Sequence, residues 1–163
     1  MRAIGPEFFR LPAAKRRIAF VFLETVDRMS KVICKYVGQF RCEATLEANG
    51  ARVFTDAAPE HKGRGEYCSA TDLVAAALGN CMLTLMAYVA DRAGVNLADA
   101  TVEVHKELSN PPGRIAAIKA TIHMPAGLTP EQRAKMEKYA RMCPVHHSLA
   151  ADMDKTVEFV YPD

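Results

Sequence analysis

The sequence predicts an α+β fold. Residues 31–56 alternate polar and apolar side chains, residues 69–93 form one long apolar stretch with helical spacing, and two further alternating strands precede a second helical region. Strands grouped apart from helices point to α+β architecture rather than to repeated βαβ units. A length of 163 residues bounds the chain at one domain with room for a short appendage.

The N-terminal 28 residues read differently from the rest. Lys15, Arg16 and Arg17 precede the apolar run Ile18 to Leu23, which then meets Glu24 and Asp27. That run is too short for a secretory signal, and the acids argue against a mitochondrial presequence. Met29-Ser30-Lys31 resembles a natural chain start. Residues 1–28 are therefore expected to be a dispensable extension, and 29–163 the folded domain.

The elements follow in order. Phe40, Cys42, Ala44 and Leu46 share one face of a strand, and Arg41, Glu43 and Thr45 the other. Asn49-Gly50 turns the chain into a partner strand through Val53, Phe54 and Thr55. Pro59, Gly63 and Gly65 mark a loop over 57–68. Ser69, with Asp72 three residues on, makes a variant capping box for the helix 69–93, and Gly94 fits its C-terminal stop. Val74, Leu78, Cys81, Leu85 and Val89 form one stripe, while Leu73, Ala76, Ala77, Leu83, Met86 and Ala87 cover much of the rest. A helix apolar nearly all round belongs at the centre of a fold. Val102, Val104 and Leu108 alternate, Asn110-Pro111-Pro112-Gly113 turns, and Ile118, Ala120, Ile122 and Met124 alternate again. Thr129-Pro130 opens a second helix to about Arg141, Cys143-Pro144 a third through Ala151, and Val157, Phe159 and Tyr161 form an edge strand.

Composition excludes several functions. A charge of +2 offers no basic stripe for nucleic acid, and the absence of Trp weakens any base-stacking platform. No apolar run approaches about 18 residues, so no membrane span is expected. Five cysteines at irregular spacings argue for reduced thiols and a cytoplasmic location rather than a disulfide scaffold.

Reduced thiols leave three fates open: core filler, metal ligand or reactive nucleophile. Cys81, in mid-helix, reads as a core residue on position alone. Cys143 sits at a helix start, where unpaired N–H groups and the positive end of the helix dipole lower a thiol pKa. Cys143, His146 and His147 with Cys81 raise the question of zinc, but no second ligand pair with zinc spacing exists. His147 reads most simply as an exposed helix residue. A Cys-His hydrolase needs a third orienting group, and nothing marks one.

Two motifs then carry a resemblance. Ser69-Ala70-Thr71-Asp72-Leu73-Val74-Ala75-Ala76-Ala77-Leu78-Gly79-Asn80-Cys81 resembles the segment around the first cysteine of the OsmC/Ohr family, typically SP-x-E-L-x-x-A-A-L-G-x-C. Cys143-Pro144-Val145-His146-His147-Ser148-Leu149 resembles the family's second signature, and the gap of 62 residues between the cysteines is similar. The N-terminal hairpin around Tyr36 to Asp56 resembles the family's meander, so the likeness covers about 31–161.

The resemblance implies an intertwined homodimer with antiparallel sheets wrapped around central helices. It also implies a thiol peroxidase for organic hydroperoxides, with hydrogen peroxide as a secondary substrate. Cys81 would be the peroxidatic cysteine and Cys143 the resolving one. No cofactor, nucleic acid or membrane is implied, only an external reductant, a thiol protein or dihydrolipoyl-type donor. The mechanism calls for a cation near the thiol. Arg41 is the first candidate, because family members often carry a basic residue there, and Arg64 the second. The family's acid ahead of the first cysteine matches Asp72, but nine residues at about 100° each place Asp72 opposite Cys81 on a continuous helix. Asp72 is therefore expected to cap the helix, and Glu66 to act as the supporting acid. Cys34, Cys42 and Cys68 match neither motif and read as incidental, with Cys68 close enough to the helix to compete as a resolving thiol. A redox sensor or small-molecule binder that keeps the fold without turnover is the alternative function, and a zinc-bound structural dimer the third.

Overall fold

The computed structural model describes residues 30–111 and 113–162. The extension expected at 1–28, with Met29, lies outside the described residues. The described residues divide into two compact units, one ending at Phe54 and the other beginning at Thr55.

The first unit holds β1 (Val32–Gly38), β2 (Arg41–Leu46) and most of β3 (Arg52–Asp56), ordered β1-β2-β3 in one sheet. β1 and β2 are antiparallel, with Cys34 opposite Ala44 and Tyr36 opposite Cys42. Gln39 and Phe40 both take positive φ, 51° and 60°, in the two-residue connection. Such a turn matches the twist of paired strands, so Phe40 lies in the turn and not on the strand face expected for it. Gly50, at φ 71°, and the Asn49 Oδ1 acceptor for the Ala51 N–H make the second turn where Asn49-Gly50 forecast it. Glu43 receives a two-pronged guanidinium from Arg52 across β2 and β3, which holds its carboxyl below the ordinary value.

In the second unit, a loop with a short 3₁₀ turn at Pro59–His61 leads to α1 (Ala70–Ala93). Ser69 and Asp72 cap α1 reciprocally, and Gly94, at φ 64°, ends it. Asp72 thus takes the capping role expected of it. Its Oδ2 accepts from the Ser69 N–H at 2.8 Å and Ser69 Oγ at 2.7 Å, and its Oδ1 faces Lys106 Nζ at 2.9 Å.

α1 packs on α2 (Pro130–Arg141), on β4 (Thr101–Ser109), on β5 (Arg114–His123) and on α3 (Pro144–Ser148). Leu78, Met82 and Met86 meet Met136, Ala140 and Cys143 from the helices and Ile118, Ala120 and Ile122 from β5 in one core. A Cβ at Gly79 would come within 3.2 Å of Val104, so glycine lets α1 lie close to β4. The segment 73–90 carries no charged residue, and α1 has the length and apolarity, at mean hydropathy 1.8, to cross a membrane. That corrects the expectation that no run is long enough. Its buried face is spent on the core of this fold instead.

Four further expectations shift. α1 is not covered all round: Ala76, Ala77, Asn80, Thr84, Ala87 and Tyr88 are exposed in the described chain. Leu108 is 60% exposed, because a bulge at Glu107–Leu108 rotates it away from the face of Val102 and Val104. The second sheet, ordered β4-β5-β6, is mixed: β6 (Asp154–Val160) runs parallel to β5, as a crossover through two helices permits. α3 also ends at Ser148 rather than Ala151, since Leu149 is extended and a turn at Ala150–Met153 delivers the chain to β6.

Candidate active site

Cys81 and Cys143 arrive at one place by different routes. Cys81 flanks the buried Leu78–Met82 stripe of α1 and is half-buried, while Cys143 is the N-cap of α3 and fully buried. Pro144 fills the first helical position, where its missing N–H costs nothing. Cys81 packs against the core cluster that contains Cys143, and the two thiols perturb one another. The Cys143 thiol makes no cap hydrogen bond to α3. All five cysteines are free thiols.

Electrostatics at Cys143 run opposite to the expectation for a helix start. Burial, reinforced by the adjoining Cys81 thiol, pushes the Cys143 thiol up to about 11, against an ordinary value of 9.0. The backbone N–H groups of His146 and Val145 pull it down but lose. A helix of five residues supplies only a weak dipole, and complete burial removes the water that would solvate a thiolate. The expected division, with Cys81 in the dry pocket and Cys143 at the reactive helix start, is thus reversed in burial.

The remaining candidates lie on other elements. Glu66 and Arg64 pair at 3.8 Å in the exposed loop ahead of α1. The Glu66 N–H donates to the buried Asp56 at 3.1 Å, which anchors the loop to the end of β3. Arg41 opens β2 in the first unit, where it is half-buried. Cys34, Cys42 and Cys68 are exposed. His147 is exposed, as expected, whereas the buried Nδ1 of His146 has no hydrogen-bond partner. Among the described residues no group of three or more His, Cys, Asp or Glu side chains is placed to hold a metal ion.

Two shallow grooves run along the exposed side of α1. One, about 370 Å³, lies between α1 and β4 and includes Gly79, Asn80, Val102 and Val104. The other, about 400 Å³, includes Thr84, Ala87, Leu97 and Ala100. Leu83 lines both.

Basic groups near Cys143 were not singled out from the sequence. Arg141 ends α2 and donates to the Val157 carbonyl at 3.3 Å, and Lys155 of β6 donates to the Leu149 carbonyl at 3.5 Å. The available signal was the alternation of β6, which continues through Lys155 on the inward side of Val157 and Phe159.

Fold, paired thiols and flanking motifs together define the class, and the chain belongs to the OsmC-like protein family, whose model matches residues 63–158. No curated protein matches the sequence. Among solved structures, a protein from Psychrobacter arcticus 273-4, named for an osmotic stress induced and detoxification response, is 28% identical. The likeness covers 82% of this chain and 98% of that one, with a TM-score of 0.76. An organic hydroperoxide resistance protein OsmC from Legionella pneumophila is 17% identical over 82% of this chain and 98% of that one, at 0.60. An OsmC-like protein from Mycoplasma pneumoniae is 13% identical over 84% and 99%, at 0.73. The latter two likenesses speak for the fold alone.

Proposed function

We propose that the protein is a cytoplasmic thiol peroxidase for organic hydroperoxides. The observation that carries this reading is that Cys81 packs against the core cluster containing Cys143 within one unit, both thiols standing at the positions that the two resembling motifs single out. The more accessible Cys81 thiolate attacks the distal oxygen of the hydroperoxide. The O–O bond breaks, the alkoxide leaves and takes a proton, and Cys81 becomes a sulfenic acid. Cys143 then displaces water from that sulfur and forms the Cys81–Cys143 disulfide. An external thiol reopens it by exchange, and no bound cofactor takes part. Arg41 is the proposed supporting cation, on the family resemblance alone, and Glu66 the proposed acid, standing in for Asp72, which caps the helix.

The working form we propose is a homodimer. β1 leaves Val32, Ile33, Tyr36 and Val37 exposed, and α1 leaves Tyr88 exposed. Scattered surface apolars are ordinary, but a whole strand of them is the pattern of an interface.

Consumption of cumene hydroperoxide with dithiothreitol in excess tests the reading. Wild type should turn over repeatedly, and Cys81→Ser should not react. Loss of less than half the rate in Cys81→Ser would overturn the assignment. One observation favours the redox-sensor alternative: Cys143 holds its proton firmly, which slows resolution. A sensor would oxidise once and then turn over slowly or not at all in the same assay.

A further inference from the structure

Lys155 sits on the inward-facing side of β6 with Val157 and Phe159, so its stem and ammonium are half-buried against α3. A lysine so placed ordinarily meets a carboxylate. Here its hydrogen bond goes to the Leu149 carbonyl at 3.5 Å. Arg141 reaches the same seam from the end of α2, donating to the Val157 carbonyl and lying 5.4 Å above the Phe159 ring. His146 and His147 complete it from α3, with ring centroids 5.6 Å apart, and the buried His146 Nδ1 has no partner.

Of the acids closest in sequence, Asp152 feels the charge of Lys155 but pairs with Arg114, and the others are committed elsewhere. Asp152 holds Arg114 at 2.7 Å, Glu158 holds Lys119 at 2.9 Å, and Glu137 accepts from the Tyr161 hydroxyl at 2.8 Å. Asp154 lies on the outward side of β6 and accepts from Thr156. Burial, then Lys155, His147 and Arg141, hold His146 below its ordinary value, so every charge acting on that ring is positive. Lys155 and His146 are half-buried while Arg141 and His147 are exposed. Like charges so gathered repel one another, and a bound anion relieves that repulsion. The seam is also one helical turn from Cys143, whose thiol feels the His146 backbone N–H.

We propose that this seam of Arg141, His146, His147 and Lys155 binds the sulfonate or carboxylate of a small anionic thiol and thereby selects the reductant of the Cys81–Cys143 disulfide. The proposal rests on the peroxidase reading for that disulfide alone. The bound thiolate attacks the Cys81 sulfur and forms a mixed disulfide. The bond to Cys143 breaks, and Cys143 leaves with the electron pair and takes a proton. A second thiolate attacks the outer sulfur, releasing Cys81 as a thiolate that is then protonated. Two small thiols are oxidised to one small disulfide, and one protein disulfide is reduced.

The test begins with protein oxidised by diamide, so that disulfide formation does not depend on peroxidase activity. Its reduction is followed with 2-mercaptoethanesulfonate, 2-mercaptoethanol and cysteamine, anionic, neutral and cationic, each rate corrected for thiolate fraction. The expected order is anionic, neutral, cationic, with the anionic thiol about tenfold ahead of the neutral one at low salt. That ratio should fall toward one in about 0.5 M salt and in Lys155→Gln and Arg141→Gln. In the reduced protein, the imidazole NMR signals of His146 and His147 should shift saturably with 2-mercaptoethanesulfonate and not with 2-mercaptoethanol. Equal corrected rates, or unshifted rings, overturn the site. The ring titration decides alone if diamide leaves the two thiols free. A protein that hydroperoxide fails to oxidise would overturn the peroxidase reading instead, and would leave the ring shifts standing.

Discussion

Cys143 shows how burial and local dipoles compete at a single residue. Its place before Pro144 was legible in the sequence, and the two motifs single it out together with Cys81. Its protonation was not, because desolvation depends on what Met136, Ala140 and their neighbours bury around it. With a thiol value near 11, the resolving step should accelerate as pH rises from 7, about tenfold per unit while the thiolate fraction is small. Dimedone should therefore trap more Cys81 sulfenic acid at pH 7 than at pH 9.5 after one equivalent of hydroperoxide; equal trapping would contradict this. Stability follows the same proton. The folded value is raised, so the contribution is complete below the ordinary value of 9.0 and is lost as pH rises through about 11. Denaturant titrations across that window should show wild type losing more stability than Cys143→Ala.

Asp72 is the opposite case, a residue whose role the sequence disclosed. Helix geometry set it apart from Cys81, and the Ser69 N–H and hydroxyl, with Lys106 beyond them, hold its carboxyl down to about 2. A lowered value contributes stability above the ordinary 3.8 that is lost as pH falls through about 2. The group is half-exposed, so solvent keeps that contribution small. Ser69→Ala removes the cap and should cost about 1 kcal/mol in chemical denaturation.

At the scale of elements, hydrophobic periodicity located α1, α2 and the strands β4 and β5, because each buries one face against the others. Periodicity could not locate the bulge that turns Leu108 outward, since a bulge is set by the pairing of two strands. The parallel β6 was equally hidden: Val157 and Phe159 alternate in the same way beside a parallel or an antiparallel neighbour. The loop ahead of α1 is more constrained than its composition indicates. A Cβ at Gly63 would stand 1.8 Å from the Ala57 carbonyl oxygen, and Gly65, at φ 65°, would meet Pro59. Backbone cannot yield as a side chain tip does, so Gly63→Ala should destabilise the protein by roughly 1–3 kcal/mol. Thermal melts of Gly63→Ala and Gly113→Ala check this, because Gly113 meets nothing within 4 Å. Equal losses would contradict the crowding argument.

For the whole molecule, the proposed homodimer would cover the exposed apolar residues of β1 and Tyr88 of α1. Light scattering should give twice the chain mass of 17.9 kDa, and Ile33→Glu with Tyr88→Glu should shift the population toward monomer. The family was legible in two short motifs because chemistry fixes residue types around a reactive cysteine more tightly than packing does elsewhere. The proposed supporting groups were less legible, since Arg41 is singled out by resemblance and Glu66 only as a loop substitute for Asp72, not by any spacing a thiolate imposes.

The central claim is that Cys81 and Cys143 form one redox pair. The most direct measurement reduces the protein, adds one equivalent of cumene hydroperoxide, and maps disulfides by intact mass and peptide mapping. The account predicts a rapid Cys81–Cys143 bond that is absent in Cys81→Ser and unchanged when Cys68 is replaced. Survival of both thiols, or a bond from Cys81 to Cys68 in place of Cys143, would contradict it.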